Sequence, residues 1–343
     1  MPLQTQMGVV KEATYGTPVT VTRFVEFDSE KIQPEMDVFE PKVARTLTRL
    51  PRYDRFVRGI YGHAGSVKFP VMTKGFGFWL QHMVGSAPTT TGPTDSTYSH
   101  VADIGSLCGV SFTMQVNRPY GVCTLVDTPF TYAGGKLQDW MLSCQAGGDG
   151  VVMFEGTTVF ASGESSTALA SASYASGMEF LPWGGSDVVV GGIAVPVYSW
   201  SVKCDNKLKI DRKQARNSWA RREPVENDLR EITVELEVDL EAYVDGTPAS
   251  TVGFLRKGMT TAGAAAIATD AYETVVITSR GPTLAGATTY PSLAVSMGAV
   301  RFDDPWNNVE GPEASTLKVT GKALVPASGD LCKLTYITTD TTP

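Results

Sequence analysis

The segment "ITVELEVDLE" (232–241) alternates without a break. Ile232, Val234, Leu236, Val238 and Leu240 fall on one side, and Thr233, Glu235, Glu237, Asp239 and Glu241 on the other. A period of two with one charged face predicts a strand that is buried on one side and wet on the other. "SVKFPV" (66–71) repeats the pattern more weakly, with Val67, Phe69 and Val71 inward. The stretches 110–116, 137–145, 151–156, 197–204, 273–279, 292–300 and 315–324 also read as strands, so the chain is mainly β.

Two short helices interrupt this pattern. "TKGFGFWLQHMVG" (73–85) places Phe76, Leu80, Met83 and Val84 on one face and ends at Gly85. "PASTVGFLRKGMTT" (248–261) has Ser250 as a cap and Val252, Phe254 and Leu255 as apolar positions. Each helix follows a half-buried strand, and "GFWLQHM" (77–83) and "GFLRKGM" (253–259) share three letters at an offset of 176 residues. Around both, the order is strand, long charged loop, strand, helix, then three strands. This repetition predicts a duplicated unit: a first domain at 1–160, a Ser/Ala/Gly-rich connector at 161–192 and a second domain at 193–343. The competing expectation is one large mixed sheet with two unrelated helices. "SAPTTTGPTDSTYS" (86–99) reads as a further loop within the first unit.

At 343 residues, two ordinary domains fit the length. The longest mainly apolar run, near 188–197, contains glycines and a proline and is far short of a membrane span. Five scattered cysteines without CxxC spacing argue against a disulfide framework or a zinc site and suit a reducing cytoplasm. The net charge of −7 disfavours a nucleic-acid grip through phosphates.

The basic residues are nevertheless clustered. The loop at 42–59 carries Arg45, Arg49, Arg52, Arg55 and Arg58 after Lys42. The loop at 207–223 carries Lys209, Arg212, Lys213, Arg216, Arg221 and Arg222 after Lys207. Together these hold 13 of the 29 Lys and Arg residues, so they are a feature of these two segments rather than of the whole surface. A solvated loop, a phosphate contact and a contact between copies of the chain are the three readings. The favoured one is copy-to-copy contact, because arginine predominates and its planar fork suits carboxylates at interfaces.

No catalytic constellation is present. His63, His82 and His100 lie in no ligand spacing, and there is no Walker, GxGxxG or GxSxG pattern in the right context. His82 reads as surface or core filler. Glu235, Glu237 and Asp239 read as a solvated face before a cation site. No catalytic residue, metal or cofactor is expected.

"MGVVKEATYGTPVTVTRFVEF" (7–27) resembles the opening of the major tail tube proteins of long, non-contractile tailed bacteriophages, in which a Gly, a Glu and "YGT" precede the first strand. "SWSVKCDNKLKI" (199–210), "EPVENDLREITVELEVDLE" (223–241) and "GPEASTLKVTGKAL" (311–324) resemble that family's later part. The resemblance implies a mainly β chain of two tandem tail-tube-like β-sandwich/barrel domains, each with one short flanking α-helix and a long stacking loop. It implies rings whose inner strands line a tube. Those rings would stack through the two basic loops and an N-terminal arm that includes Gly8, Glu12, Tyr15, Gly16 and Thr17. Two units per chain imply a trimeric, pseudo-hexameric ring, with a hexamer as the alternative. Glu235, Glu237 and Asp239 become the candidate lumen lining, past which genomic DNA slides without specific binding. Lys68 and Pro70 stand at the corresponding first-unit strand, so the lining is not uniform. The implied partners are the chain itself and the tape measure, tail terminator and distal tail proteins, with no membrane. The implied location is the virion tail, after synthesis and assembly in the host cytoplasm.

A capsid decoration or baseplate ring protein would share the sandwiches without polymerising. A carbohydrate-binding adhesin would need an exposed aromatic platform, for which Trp183 and Trp306 are the candidates outside the predicted strands and helices.

Overall fold

The computed structural model describes residues 5–41, 50, 54–121, 125–212, 218–239, 272–283, 289–302, 316–327, 329 and 331–343. The expected second helix at 248–261, Trp306, Arg45, Arg49, Arg52, Lys213 and Arg216 lie outside them, as does the side chain of Asp239.

Up to residue 164 the elements are β1 (Met7–Lys11), β2 (Arg23–Val25), β3 (Ser29–Glu30), β4 (Gln33–Phe39), β5 (Val57–Pro70), α1 (Gly77–Val84), β6 (Thr89–Thr94), β7 (Thr97–Asp103), β8 (Phe112–Asn117), β9 (Pro129–Gln145), β10 (Met153–Phe160) and β11 (Ser162–Glu164). Beyond it come β12 (Ser186–Val190), β13 (Ile193–Ala194), β14 (Val197–Asp205), β15 (Leu208–Lys209), β16 (Val225–Glu226), β17 (Glu231–Asp239), β18 (Glu273–Arg280), β19 (Ser292–Phe302), β20 (Thr316–Ala323) and β21 (Cys332–Thr338). The strand pairs between these elements are antiparallel, and among the described residues the sheets do not close into a barrel. The result is a mainly β fold of the sandwich type.

Both halves follow one strand order. In the first, β2 pairs with β1, β1 with β8, β8 with β9, β9 with β10, and β10 with β5, which carries β3 and β4. In the second, the same walk runs β13, β12, β18, β19, β20, β17, β14. A register shift marks the same step of each walk, between Phe112 and Met114 in β8 and between Glu273 and Val275 in β18.

The strand β9 belongs to two sheets. Its first part pairs with β8 and its later part with β10. The chain turns between them at Gly134, whose φ of 71° is open to glycine and strained for other residues. A Cβ there would also meet the Ala161 Cβ at 2.7 Å.

The helix α1 fills the space between the sheets. Trp79 lies 5.4 Å from Phe154 of β10 and 5.6 Å from Phe112 of β8, measured between ring centroids. His82 is buried beside Phe78 and Phe112 and acts as core filler. Burial, reinforced by the charges of Lys11 and Lys136, pushes its pKa down to about 3. The last carbonyls of α1 find donors elsewhere. Trp140 Nε1 reaches Met83 O at 3.0 Å, and Arg230 Nη1 reaches Val84 O at 2.6 Å.

Two sequence expectations need correction. Residues 89–94 and 97–103, largely read as loop, form the β6–β7 hairpin, and β7 pairs with β21 near the C-terminus. Threonine-rich strands suit a pleated surface even where Gly and Pro break the alternation. Trp183 is half-buried, while Trp219, in the second basic loop, is 61% exposed. In addition, the stretch 161–192 contains β11 and β12, each paired into a sheet.

Candidate assembly surfaces

A seam inside the chain joins the sheet of its first half to that of its second. Residues 199–205 of β14 pair with 145–139 of β9. Ala146 N donates to Tyr198 O at 2.9 Å, and Asn206 N to Gln138 O at 2.9 Å. In an antiparallel ladder such pairs alternate, so Trp200, Val202 and Cys204 also turn their backbone groups toward β9.

The matching edge of the first half is different. Glu30 pairs with Val67 and Val67 with Gly156; Trp200 pairs with Leu236 and Leu236 with Val319. Glu30 therefore stands where Trp200 stands, Ile32 where Val202 stands and Pro34 where Cys204 stands. Lys31 N donates inward to Ser66 O at 2.9 Å, so Ile32 faces outward. No strand pairs with this outer edge among the described residues. Instead, Arg118 Nε and Nη2 donate to the two Glu30 carboxylate oxygens at 2.6 and 2.7 Å. Arg118 Nη2 also donates to Ile32 O at 2.9 Å, and Ile32 N donates to Glu30 Oε2 at 3.1 Å.

The seam makes one polar face across both halves. β17 presents Glu235, exposed, and Glu237, half-buried, with Val234, Leu236 and Val238 buried behind them. Glu237 accepts from Ser199 Oγ at 2.8 Å. Register places Lys68, Glu155, Met141, Lys203, Thr233 and Lys322 in one row across the strands. A second row holds Glu235 with Thr320, and a third Glu237 with Lys318. Lys322 Nζ lies 2.6 Å from Glu231 Oε1. This face is of mixed charge, and the lysines come from strands whose pairing with β17 is fixed by tertiary structure.

The basic loops differ in how far they are built into the fold. Arg55, Arg58, Lys209 and Arg222 are exposed, with Arg58 in β5 opposite Val38. Arg212 donates to Glu223 O at 2.8 Å. Arg221 is drawn inward, paired with Glu35 and donating to His63 O at 3.3 Å. Tyr61 N donates to Trp219 O at 2.8 Å and Arg221 N to Tyr61 O at 3.0 Å, so residues 219–221 lie along β5. Burial, then the charges of Arg221 and Arg118, holds the nearby His63 below the usual histidine range.

The β4–β5 arm beside this contact carries apolar side chains among Glu35, Arg58 and His63. A groove of about 670 Å3 runs among Pro34, Met36, Phe56, Val57, Tyr61 and Trp219. Phe39 is 55% and Val57 53% exposed. Apolar surface held out on a hairpin is a feature of interaction sites.

The N-terminal residues are folded into the first sheet. Gly8 is buried in β1, where a Cβ would meet Val21 Cγ2 at 2.6 Å. Glu12 is 1% exposed. Its Oε1 accepts from Thr113 Oγ1 at 2.7 Å and Gly134 N at 2.8 Å; its Oε2 accepts from Ser111 Oγ at 2.7 Å and Gly16 N at 3.0 Å. Tyr15 packs beneath Lys136, with Nζ 6.0 Å from its ring centre, and Thr17 N donates to Thr14 O at 3.1 Å.

Three ties between the halves were not singled out in the sequence. Lys136, 2% exposed, donates to Leu107 O and Glu223 Oε1, both at 2.6 Å. Arg230 holds the end of α1 and also reaches Gly105 O at 2.6 Å. Tyr336 Oη donates to Met72 O at 2.8 Å. An isolated lysine within "YAGGKLQDW" carries no local signal of burial, because its partners are 29 and 87 residues away.

No curated relative matches the chain. Residues 2–323 match the family model described as phage tail tube protein. Nearly the whole chain is covered, including both strand walks and the seam between them, and the chain belongs to the phage tail tube protein family.

Proposed function

We propose that this structural tail tube protein closes into rings by joining the sheets of neighbouring copies, and that the rings stack into the conduit for DNA ejection. One observation carries the reading. The second half's edge strand is completed by β9 inside the chain, while the matching first-half edge around Ile32 has no strand partner among the described residues. A second copy supplies the strand that no described residue of the chain provides, and closure removes an open sheet edge.

Two further features support the scheme. The common strand order supports a duplication in which β12, inside the stretch 161–192 expected to be a connector, opens the second unit, and hence a trimeric, pseudo-hexameric ring. The apolar side chains of the β4–β5 arm, with the segments 42–59 and 207–223, support stacking between rings, with complementary charge setting the register. The polar face carrying Glu235 and Glu237 lines the lumen. Interleaved lysines keep it near neutral, so the phosphate backbone meets no continuous basic track that would hold it. The tape measure, terminator and distal tail proteins bound the tube, which assembles in the host cytoplasm and ends in the virion tail.

Negative-stain microscopy of the purified chain tests this reading. Hollow rings or tubes with three chains per turn support it. Six chains per ring would refute the pseudo-hexamer, and solitary particles at every concentration would refute the tube.

A further inference from the structure

The edge offered to a neighbour is closed in the free chain by the chain's own side chains. In the second half, the Val202 backbone N–H and C=O face β9 across the seam. In the first half, the same two groups of Ile32 are taken by Glu30 Oε2 and Arg118 Nη2. Arg118 follows β8, in the sheet opposite, and reaches over to the edge with its guanidinium 5.0 Å from the centre of the Phe130 ring. The Glu30 and Arg118 side chains are 11% and 33% exposed, so the pair is anchored rather than loosely solvated.

The residues that differ between the halves fit this arrangement. Trp200 sits in the core where the first half has Glu30, and Cys204 stands where the first half has Pro34. Pro34 has no N–H to offer at the outer edge, which limits unplanned strand pairing. A bidentate ion pair over the two outward groups of Ile32 limits it further.

We propose that the Arg118–Glu30 clasp gates lateral assembly: a second copy of this chain adds its strand at the Ile32 edge only after the clasp has left Ile32. The inference rests on the lateral-joining reading given under Proposed function. The clasp keeps the free chain from pairing indiscriminately, and a correctly docked neighbour replaces its two backbone hydrogen bonds one for one.

Three full-length proteins test the gate: wild type, Arg118→Ala and Glu30→Gln. Assembly is followed by light scattering and negative stain against protein concentration, and exchange of the Ile32 amide is followed by mass spectrometry. The gate predicts that both variants form rings or tubes at a concentration about tenfold lower than wild type, the change expected for loss of one net charge-assisted hydrogen bond per junction. It also predicts faster Ile32 exchange in free Arg118→Ala, where Glu30 is no longer held over the Ile32 N–H, and full protection in the tubes of all three. Wild-type tubes together with unchanged or higher thresholds in folded variants would overturn the gate and leave the tube reading standing. Solitary particles for all three proteins, or tubes in which Ile32 still exchanges freely, would overturn the lateral-joining reading and the gate with it. Glu30→Gln keeps the volume and an acceptor for Ile32 N–H, so it decides the matter if Arg118→Ala loses its native circular dichroism.

Discussion

Replacing Glu12 should loosen the whole N-terminal edge of the first sheet. Its carboxylate sits 1% exposed between β1 and the bend in β9. Each oxygen accepts one hydroxyl and one backbone N–H: Thr113 and Gly134 on Oε1, Ser111 and Gly16 on Oε2. The two hydroxyls can rotate to new partners, but the two N–H groups cannot. Glu12→Gln keeps the volume and turns one acceptor into a donor, so one backbone N–H loses its partner. That costs about 1–3 kcal/mol. Glu12→Ala strands both N–H groups beside a small cavity, partly offset by no longer burying a charge, and costs about 3–5 kcal/mol. Urea unfolding of the unassembled chain at pH 7 reads the total, and hydrogen exchange at Gly16 and Gly134 reads the site. If both variants unfold within about 0.5 kcal/mol of wild type, or if those two amides stay protected, the carboxylate does not organise this corner.

Other expectations follow from single groups. His82 has a folded pKa near 3 against about 6.5 unfolded, so below pH 6.5 the unfolded chain binds the extra proton. Its contribution is complete above pH 6.5 and falls by about 1.4 kcal/mol per unit on acidification, reaching about 2 kcal/mol at pH 5; His82→Leu should flatten this part of the pH–stability curve. Trp219→Ala, at an exposed site, should change monomer stability by less than about 0.5 kcal/mol yet raise the threshold for tube formation by tenfold or more if Trp219 is a stacking anchor. An unchanged threshold removes it from the interface. Burial pushes the Cys204 and Cys332 thiols up to about 12 and raises Cys144, so a thiol reagent at pH 8 should label Cys108 and spare these three until urea is added. Rapid labelling of Cys204 in the folded chain would contradict its placement. Lysine at Glu235 and Glu237 should leave tubes intact and slow DNA ejection, and unchanged infectivity would remove that face from the lumen.

The sequence was most readable where one strand face is apolar and the other charged. The expected strand at 232–241 appears as Glu231–Asp239, and those at 197–204 and 292–300 fall within a few residues of β14 and β19. Reading failed where pairing depends on a distant partner. The β6–β7 hairpin is polar, and β7 is made a sheet member by β21, more than 200 residues away. The first part of β9 lies outside the expected strand at 137–145, and Gly134 and Gly135 act as the corner between sheets. The basic loops were visible as charge clusters, but charge alone did not show that Arg221 turns inward to Glu35 while Arg58 stays out. Glu12 stood out through its family setting, and its four hydrogen bonds supply the physical reason for a carboxylate there.

The seam also bears on why such a chain would carry its unit twice. Joining two separate sandwiches costs translational and rotational freedom each time. Where two units share a chain, one junction forms at the effective concentration set by their connector, without a second encounter. Here that internal junction is a seven-residue ladder, reinforced by Lys136 to Glu223 and Arg230 to the end of α1. The proposed ring of six units would then need three encounters between chains rather than six. In that reading the first-half edge is found by diffusion, and it carries the Arg118–Glu30 clasp, Pro34 and no strand partner among the described residues. The second-half edge, permanently occupied, has no need of such protection and has Trp200 and Cys204 packed in the core instead. The asymmetry between two otherwise matching strands is what the proposed division into one fixed and one regulated junction would require.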